Sequence, residues 1–487
     1  MNQALESLVK KTASRSHIGV RIAILGTVLL GALIPPSSFA SNLPGDFDSS
    51  FGTSGFTTAT SGTNDSNLAL AIDGSGRIVA GGYATISGAS AFNVTRYLSS
   101  GALDTSFGTG GYTHVTPGTD DAINAVAIDP SGNILAAGHA TVGGNYLFAV
   151  ARYLPTGALD TTFGTNGFAT TTLGTHADLN AITIDSGGKI TVAGVAIVGG
   201  TIEFALARYL PTGALDPTFG TAGIATSTPA ASSFISSMAI DSNQKIVVAG
   251  TAIIAGHFVF AIGRYLPNGA VDTSFGTNGF NTSTPGSSDY IGSIAIDGAG
   301  KIIAGGYSTL GGGWQFTVAR YLPSGAIDTT FGTNGFNTTT LGANDRINSI
   351  ALDVGGKIVA GGYSTVAGVT RFTLARYLTT GILDASFGTS GFATATPGTN
   401  DEINSIKIGS SGNITVGGYA TTSGHSSLAV GRYFGDPVVP PVPIRIPDPT
   451  QQSRITGTSL SVIPADTSVD LVTVSYTHLT LPTKRIV

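Results

Sequence analysis

The sequence RYLPTGALDTTFGTNG, at residues 152–167, recurs along the chain at a constant interval. Its Arg-Tyr and Phe-Gly pairs each return after 56 residues, with no insertion. The Arg-Tyr pairs begin at Arg96, Arg152, Arg208, Arg264, Arg320, Arg376 and Arg432, and the Phe-Gly pairs begin at Phe51, Phe107, Phe163, Phe219, Phe275, Phe331 and Phe387. A constant interval of this length is typical of a propeller, a solenoid or another array of supersecondary units.

Each interval contains four stretches that predict β-strands. In the first full repeat these are residues 67–73 (NLALAID), 77–84 (RIVAGGYA), 92–98 (FNVTRYL) and a stretch from 102 into 112–116. Each stretch is short, β-branched or alternating in polarity, and bounded by Gly, Ser, Pro or Asp. No segment after residue 40 has helical periodicity. The pattern predicts an all-β fold, a seven-bladed β-propeller of four-stranded antiparallel blades.

The two ends of the array are complementary. Residues 47–52 (FDSSFG) match the fourth-strand part of a repeat without the strands that precede it, and residues 432–435 (RYFG) end the last repeat where its fourth strand would begin. We therefore expect residues 45–60 to pair with residues 403–434 and close the propeller, which removes an exposed strand edge. A solenoid, whose coils are normally shorter, and separate sandwich domains, which are longer, are the alternatives.

Composition excludes several classes of function. The 487-residue chain has 28 acidic and 23 basic side chains, a net charge of -5 and no cysteine. A charged fraction of 10% does not provide the basic surface that nucleic-acid binding requires, so we expect no nucleic-acid partner. The absence of cysteine excludes disulfides, thiolate zinc sites and cysteine nucleophiles.

The N-terminal residues have the pattern of an export signal. Four basic residues, Lys10, Lys11, Arg15 and Arg21, precede an apolar run at 22–34, and the small-x-small sequence SFA follows at 38–40. This order predicts a secretory signal peptide over residues 1–40, with a retained anchor as the alternative. The run is shorter than the roughly 20 residues that span a bilayer, so we expect no membrane span after cleavage. We expect the mature protein to be secreted, periplasmic or at the bacterial cell surface.

The repeat resembles a known family. Residues 152–167, together with residues 128–134 (IDPSGNI), resemble the delta-60 repeat of exported bacterial proteins, and the order of strands, glycine turns and Phe-Gly is similar to the NHL class of propeller repeats. The resemblance covers residues 45–435. It implies a propeller and implies no reaction. Two repeats depart from the pattern, because Asn243 and Gln244 replace a Gly-rich turn and Gly409 replaces an aspartate.

The C-terminal tail has three parts. Residues 436–450 are rich in proline and predict a stiff, extended linker. Residues 451–473 are typical of the start of another, truncated segment. The last residues, 474–487 (VSYTHLTLPTKRIV), resemble the translation of a sequencing-adapter read-through. We expect them to be an artefact and the natural C-terminus to be missing.

Strand parity assigns the loops to two sides. The turns after the first and third strands lie on one side, which we call the Asp–Arg side because recurring aspartates and the Arg-Tyr arginines lie there. A ring of carboxylates could hold calcium, which prefers several oxygen ligands. The alternative, which we favour, is that each aspartate caps its turn and pairs with an arginine, with no cofactor. The aspartates are Asp73, Asp129, Asp185, Asp241, Asp297 and Asp353, and Asp48, Asp104, Asp160, Asp216, Asp272, Asp328 and Asp384.

The opposite side, which we call the variable side, differs between repeats. Its hairpins and inter-repeat loops carry polar, aromatic and ionisable residues on a constant scaffold, the usual arrangement for recognition; unconstrained variation is the alternative. Trp314 is the best single candidate because an exposed tryptophan can stack on a sugar or anchor a partner. The predicted ligand-binding residues are Trp314, Tyr146, His257, His425, Glu203, Arg371 and Tyr290; the inter-repeat loops also offer Asp65, Asp120, Asp121, His176, Asp178, Asp289, Asp345, Arg346, Asp401 and Glu402.

Three functions fit this sequence. The first, which we favour, is an exported module that recognises a glycan, peptide or cell-envelope partner through the variable side. The second is a propeller hydrolase or lyase that acts on polysaccharide with paired carboxylates at the channel mouth. The third is a passive surface-display scaffold. No nucleophile elbow, metalloprotease motif or phosphate-binding loop is present in the sequence, so we assign no catalytic or metal-binding residue.

Overall fold

The computed structural model describes residues 42–230 and 232–437. Within these residues the regular structure is entirely β-strand, and no helix is long and apolar enough to cross a membrane. The predicted signal peptide, nearly all of the predicted linker, and the tail beyond it lie outside the described residues.

The strands follow the 56-residue interval. In chain order they are β1 (Phe56–Ala59), β2 (Asp65–Ile72), β3 (Ile78–Ile86), β4 (Ala89–Tyr97), β5 (Tyr112–Val115), β6 (Asp121–Ile128), β7 (Ile134–Val142), β8 (Asn145–Tyr153), β9 (Phe168–Thr171), β10 (His176–Ile184), β11 (Ile190–Val198), β12 (Thr201–Tyr209), β13 (Ile224–Ser227), β14 (Ser233–Ile240), β15 (Ile246–Ile254), β16 (His257–Tyr265), β17 (Phe280–Ser283), β18 (Asp289–Ile296), β19 (Ile302–Leu310), β20 (Gly313–Tyr321), β21 (Phe336–Thr339), β22 (Asp345–Leu352), β23 (Ile358–Val366), β24 (Val369–Tyr377), β25 (Phe392–Ala395), β26 (Asp401–Ile408), β27 (Ile414–Thr422) and β28 (His425–Tyr433).

The strands form four-stranded antiparallel groups, as in a propeller. Strands β2 to β5, β14 to β17, β18 to β21 and β22 to β25 each form one sheet in chain order. Strands β6 to β9 and β10 to β13 pair in the same way within each group, and a parallel contact between His176 and Tyr146 joins them into one larger sheet. The last sheet has the order β1-β28-β27-β26, so its fourth strand comes from the N-terminal end of the described chain.

The predicted strands agree with the structure apart from the fourth. In the first repeat, the stretch predicted as the fourth strand begins at residue 102, but only its part Tyr112–Val115 forms a strand. The residues before it form a turn in which the Leu98 amide donates to the Ala102 carbonyl oxygen, and the Asp104 amide donates to that of Arg96. These local backbone bonds replace the pairing that a longer strand would make, so the Asp and Phe-Gly residues belong to a turn.

The N-terminal segment lies against the last repeat. Strand β1 pairs antiparallel with β28, with Phe56 opposite Gly431, and Phe47 bridges to Tyr433. The first strand of the first repeat also contacts that of the last: the Leu70 amide donates to Ser405 Oγ at 3.1 Å. The first and last repeats therefore contact each other in the same way as repeats that are neighbours in the sequence.

The core lies between successive sheets. The phenylalanines of the Phe-Gly pairs are fully buried, and Phe107, for example, packs in one cluster with residues of its own sheet and of the next, including Ile123 and Tyr153. Burial of an aromatic ring of this size is among the largest single contributions to such a core. These rings therefore pack between successive repeats.

A recurring glycine lets the second strand approach the first. A Cβ atom built on Gly306 would lie 1.8 Å from the carbonyl oxygen of Tyr290, far inside contact distance. The approach coincides with a bulge in the first strand, where the register shifts between Ile291 and Ser293. The same close approach recurs at Gly82, Gly138, Gly194, Gly250, Gly362 and Gly418.

Candidate binding site at the channel

The arginines and aspartates of the Asp–Arg side form a structural network. Arg320 Nε lies 2.8 Å from Asp328 Oδ2, its Nη1 donates to the Thr379 carbonyl oxygen at 2.5 Å, and its guanidinium lies 4.7 Å from the Phe331 ring centroid. Six of the seven arginines tie their own turn to the turn of the following repeat in this way. Arg376 Nη1 donates instead to Asp436 Oδ1, at 2.7 Å. The same Arg–Asp–Phe arrangement occurs at Arg96, Arg152, Arg208, Arg264, Arg376 and Arg432.

The aspartates that follow the first strands, such as Asp297, cap turns. Asp297 Oδ1 accepts hydrogen bonds from the Ala299 and Lys301 amides, both at 2.9 Å. Lys301 Nζ then reaches Asp328 Oδ2 at 2.8 Å, and hydrogen bonds from Lys301 and Thr330 hold the pKa of Asp328 well below its usual range. Among the described residues, no group of three His, Asp or Glu side chains is arranged to hold a metal ion. The calcium hypothesis stays a prediction.

A channel runs between the first strands of the repeats. A cavity of about 360 Å³ is lined by residues of β2, β6, β10, β14, β18, β22 and β26. Asparagine and serine side chains in this lining join neighbouring first strands: Asn404 Nδ2 donates to the Asn67 carbonyl oxygen at 3.0 Å, and the Ile294 amide donates to Ser237 Oγ at 3.1 Å. Much of the lining is therefore polar, and hydrogen bonds between neighbouring first strands hold its side chains in place.

An aromatic cluster with one arginine lies at the variable-side end of the channel. The Tyr290 and Tyr307 rings are stacked with centroids 5.7 Å apart, and Trp314 lies 4.9 Å from Tyr307. The Arg346 guanidinium lies 5.3 Å from the Tyr290 centroid and 5.7 Å from that of Tyr307. We call these four residues, with Tyr363, the aromatic cluster, because Tyr363 also contacts Arg346.

A glutamate borders the aromatic cluster. Glu402 Oε1 accepts a hydrogen bond from Asn348 Nδ2 at 2.8 Å, and Oε2 accepts one from the Tyr419 hydroxyl at 3.1 Å. Burial and the nearby Glu402 charge raise the pKa of Tyr419, so its hydroxyl stays protonated and donates. The carboxylate is held in one orientation at the channel wall.

A second polar cluster contains two histidines. Asp178 Oδ1 lies 2.9 Å from Asn124 Nδ2 and 3.1 Å from His139 Nδ1. The Tyr146 ring lies between His139 and His176, with centroid distances of 4.6 and 4.4 Å. Burial, followed by the charge of Asp120, raises the pKa of Tyr146. The cluster joins the β6–β9 group to the β10–β13 group at the variable side.

The structure brings some predicted site residues together and separates others. Tyr290 and Trp314 belong to the aromatic cluster, and Tyr146 belongs to the histidine cluster. His257 and His425 are exposed at hairpin tips, whereas Glu203 and Arg371 are partly buried on third strands. Within the described residues, no hydrogen bond, ion pair or ring contact joins these last four to either cluster.

The grouping of the inter-repeat aspartates with the recognition residues was wrong. Asp65, Asp121, Asp289, Asp345 and Asp401 are fully buried at the start of their strands. All but Asp289 accept hydrogen bonds from loop amides, as where the Gly398 amide donates to Asp401 Oδ2 at 3.0 Å, and burial raises the pKa of Asp401. These four cap the inter-repeat loops, and none of the five is available to a ligand.

Several residues at the channel were missed from sequence. One of them, Lys407, lines the cavity near the end of a first strand. The others contact the two clusters or Glu402 and occupy one position of the second strand: His139, Tyr307, Tyr363 and Tyr419. Spacing could have found them, since the residues at that second-strand position, 56 apart, include Tyr83, Val195 and Thr251 and so vary between repeats. Variation at a channel position is a sharper signal than variation at a hairpin tip.

Comparisons with known proteins support the fold. Six segments, residues 74–107, 130–163, 187–219, 242–275, 300–331 and 356–387, match the model of a β-propeller domain of unknown function, DUF5122. These matches make the chain a β-propeller repeat protein. None of the curated protein sequences matches it.

Several solved structures are similar to this chain at low sequence identity. Drosophila semaphorin 2a has a TM-score of 0.46 with 9% identity, covering 77% of this chain and 74% of its own. Polysaccharide lyase Uly1 has a TM-score of 0.40 with 10% identity, covering 82% and 94%. Sqt1 from Chaetomium thermophilum has a TM-score of 0.39 with 14% identity, covering 77% and 87%. Similarity at this level indicates nothing about the ligand of this chain.

Proposed function

We propose that this chain is an exported, closed seven-bladed propeller of the delta-60 type that binds a glycan at the variable-side mouth of its channel. The pairing of β1 with β28 and the contact of Leu70 with Ser405 support closure. The basic, apolar and small-residue order of residues 1–40 supports export to the periplasm or cell surface.

The observation that supports binding is the aromatic cluster. Its rings and the Arg346 guanidinium are packed on one another at the end of a polar channel, and their residue types do not recur in every repeat. Blade construction therefore does not explain them. Non-recurring aromatic and charged residues that converge on a cavity are the usual signature of a ligand site.

The chemistry of the mouth suits a sugar better than a peptide. Aromatic rings can stack on the apolar face of a pyranose, while Asn348, Glu402 and Tyr419 offer oriented donors and acceptors for hydroxyl groups. A peptide strand would instead need an exposed sheet edge or an apolar groove. The fourth strands here are short, four residues each, so the edges of the sheets offer little length for pairing with a peptide.

A glycan array with the mature chain tests this function. We expect selective binding of one or a few related glycans, reduced at least tenfold in Trp314→Ala, because a stacked aromatic contact is lost. The matched control is Phe258→Ala, which removes an aromatic side chain that is 44% exposed on another variable-side hairpin. Equal binding by both variants would contradict the assignment of the aromatic cluster.

A further inference from the structure

The cationic side chains of the described chain fall into two classes. Almost every described lysine and arginine forms a salt bridge with a carboxylate, mostly on the Asp–Arg side. The exceptions among these residues are Arg346, Arg371 and Lys407. Two of the three, Arg346 and Lys407, line the channel cavity. In a chain with a net charge of -5, this leaves the unpaired positive charge concentrated in the channel.

Lys407 departs from the residue pattern of the repeat. The equivalent position in the other first strands holds a small residue. The side chain is exposed to water within the channel, yet the channel wall surrounds it, and this partial desolvation lowers the pKa of its ammonium group. A cation enclosed in a channel without a carboxylate partner carries a desolvation cost that blade construction does not require. The equivalent residues are Ala71, Ala127, Thr183, Ala239, Ala295 and Ala351.

The carboxylates that line the channel do not neutralise Lys407. Glu402 is bonded to Asn348 and Tyr419, and lies near the variable-side end of the same strand. Lys407 lies five residues further along, which corresponds to about 16 Å at the usual rise of a strand. Arg346, at the mouth, is also short of partners, because its buried Nε has no hydrogen bond. An anion that entered from the variable side would pass one unpaired cation and meet a second.

We propose that the channel is a binding site for a small organic anion, with Lys407 as the residue that binds its carboxylate and Arg346 as the cation at the entrance. Its chemical class is a carboxylate-bearing molecule of about sugar size, such as a sugar acid, which a cavity of about 360 Å³ can admit. Entry is from the variable side, since the opposite side is bordered by turn-capping aspartates such as Asp297. The anion site shares Arg346 with the aromatic cluster, but binding of the carboxylate at Lys407 does not depend on stacking against the rings.

Calorimetry with glucuronate and glucose as a matched pair tests the proposal. We expect the full-length mature chain to bind glucuronate at least tenfold more tightly than glucose, and Lys407→Ala to abolish that preference. Lys407→Ala restores the side chain that most other repeats have, so it is expected to fold. Lys245→Ala removes the same charge from the Asp–Arg side, where Lys245 pairs with Asp272, and should keep the preference.

A second measurement separates this site from the proposed glycan function. Reductive methylation with ¹³C labels each lysine, and the Lys407 NMR signal is identified by its absence in Lys407→Ala. Glucuronate should shift that signal and leave the Lys245 signal in place. An unmoved Lys407 signal, or equal affinity for glucuronate and glucose, would overturn the anion site even if the array showed glycans bound at the aromatic cluster. A shifted signal with a blank array would support the anion site alone.

Discussion

Arg432 Nη1 donates to the backbone carbonyl oxygen of Ser99 at 2.5 Å, across 333 positions of the sequence. Within the array the same contact spans 59 positions, as from Arg320 to Thr379. The first repeat therefore occupies, relative to the last, the place that each following repeat occupies relative to the one before it. At the preceding interface, the Gly388 amide donates to the Pro44 carbonyl oxygen, as the Gly332 amide donates to that of Thr380, so the N-terminal segment takes the place of a turn of the repeat.

The first prediction compares two arginines. We expect Arg432→Ala and Arg96→Ala to lower the free energy of unfolding by similar amounts, about 3–5 kcal/mol each, because each leaves a buried aspartate without its only ion-pair partner. The side chains of Asp48 and Asp104 are 5% and 7% exposed. Urea denaturation of both variants measures the two losses. A closed ring requires them to agree; a loss at Arg96 with none at Arg432 would mean that the contact between the termini contributes nothing to the stability of the fold.

The second prediction concerns close strand approach. Gly306→Ala should lower the free energy of unfolding by about 1–3 kcal/mol or more, since its Cβ cannot fit 1.8 Å from the Tyr290 carbonyl oxygen and the strands must separate. Gly298→Ala is the control, because nothing lies within 4 Å of a Cβ at that turn position. Thermal unfolding of the two variants checks this. Equal melting temperatures would show that the bulge absorbs the methyl group without cost.

Much of this fold follows from the sequence, because a repeated interval repeats its own contacts. The Arg-Tyr and Phe-Gly spacing predicted the strands, the assignment of loops to sides and the pairing of Arg320 with Asp328. The fourth strand was overextended because a run such as residues 102–111 satisfies its backbone groups in local turns, which strand propensity does not reveal. Recurrence also identified the structural residues, because every repeat needs them.

The lining of the channel was harder to predict. Side chains alternate along a strand, but the bulge between Ile403 and Ser405 shifts the register of β26 against β27. Alternation counted from Asp401 therefore assigns the wrong face beyond the bulge, and Lys407 was overlooked. The inter-repeat aspartates were misassigned for the opposite reason, since a polar residue in a loop-like sequence was expected to face water.

The third prediction concerns acid stability. Burial alone would raise the pKa of Asp384, but hydrogen bonds from Ser386 and Lys357 and the charge of Arg376 outweigh it and lower the pKa to about 2. A carboxylate whose pKa is depressed in the folded state stabilises the protein above its unfolded pKa of about 3.9, and this contribution is lost as the pH falls toward 2. This contribution of Asp384 to the free energy of unfolding at pH 7 is about 2 kcal/mol.

Urea denaturation of Asp384→Asn at pH 7 and at pH 3 measures this effect. The variant should be less stable than the wild type at pH 7, and the difference should narrow at pH 3. Ser386→Ala removes one hydrogen bond to the same carboxylate and should give a smaller change of the same sign. A difference independent of pH would show that Asp384 contributes through packing and not through its charge.

The last prediction uses the single tryptophan of the chain, Trp314, as a reporter on the aromatic cluster. Tyr307→Ala should shift its emission maximum to longer wavelength, because it removes the ring 4.9 Å away and admits water beside the indole. Tyr83→Ala, at the equivalent position of the first repeat, should leave the emission unchanged while costing similar packing. Steady-state fluorescence of the folded variants measures both. An unchanged spectrum in Tyr307→Ala would mean that Trp314 is already solvated, and stacking on a ligand would then depend on the indole alone.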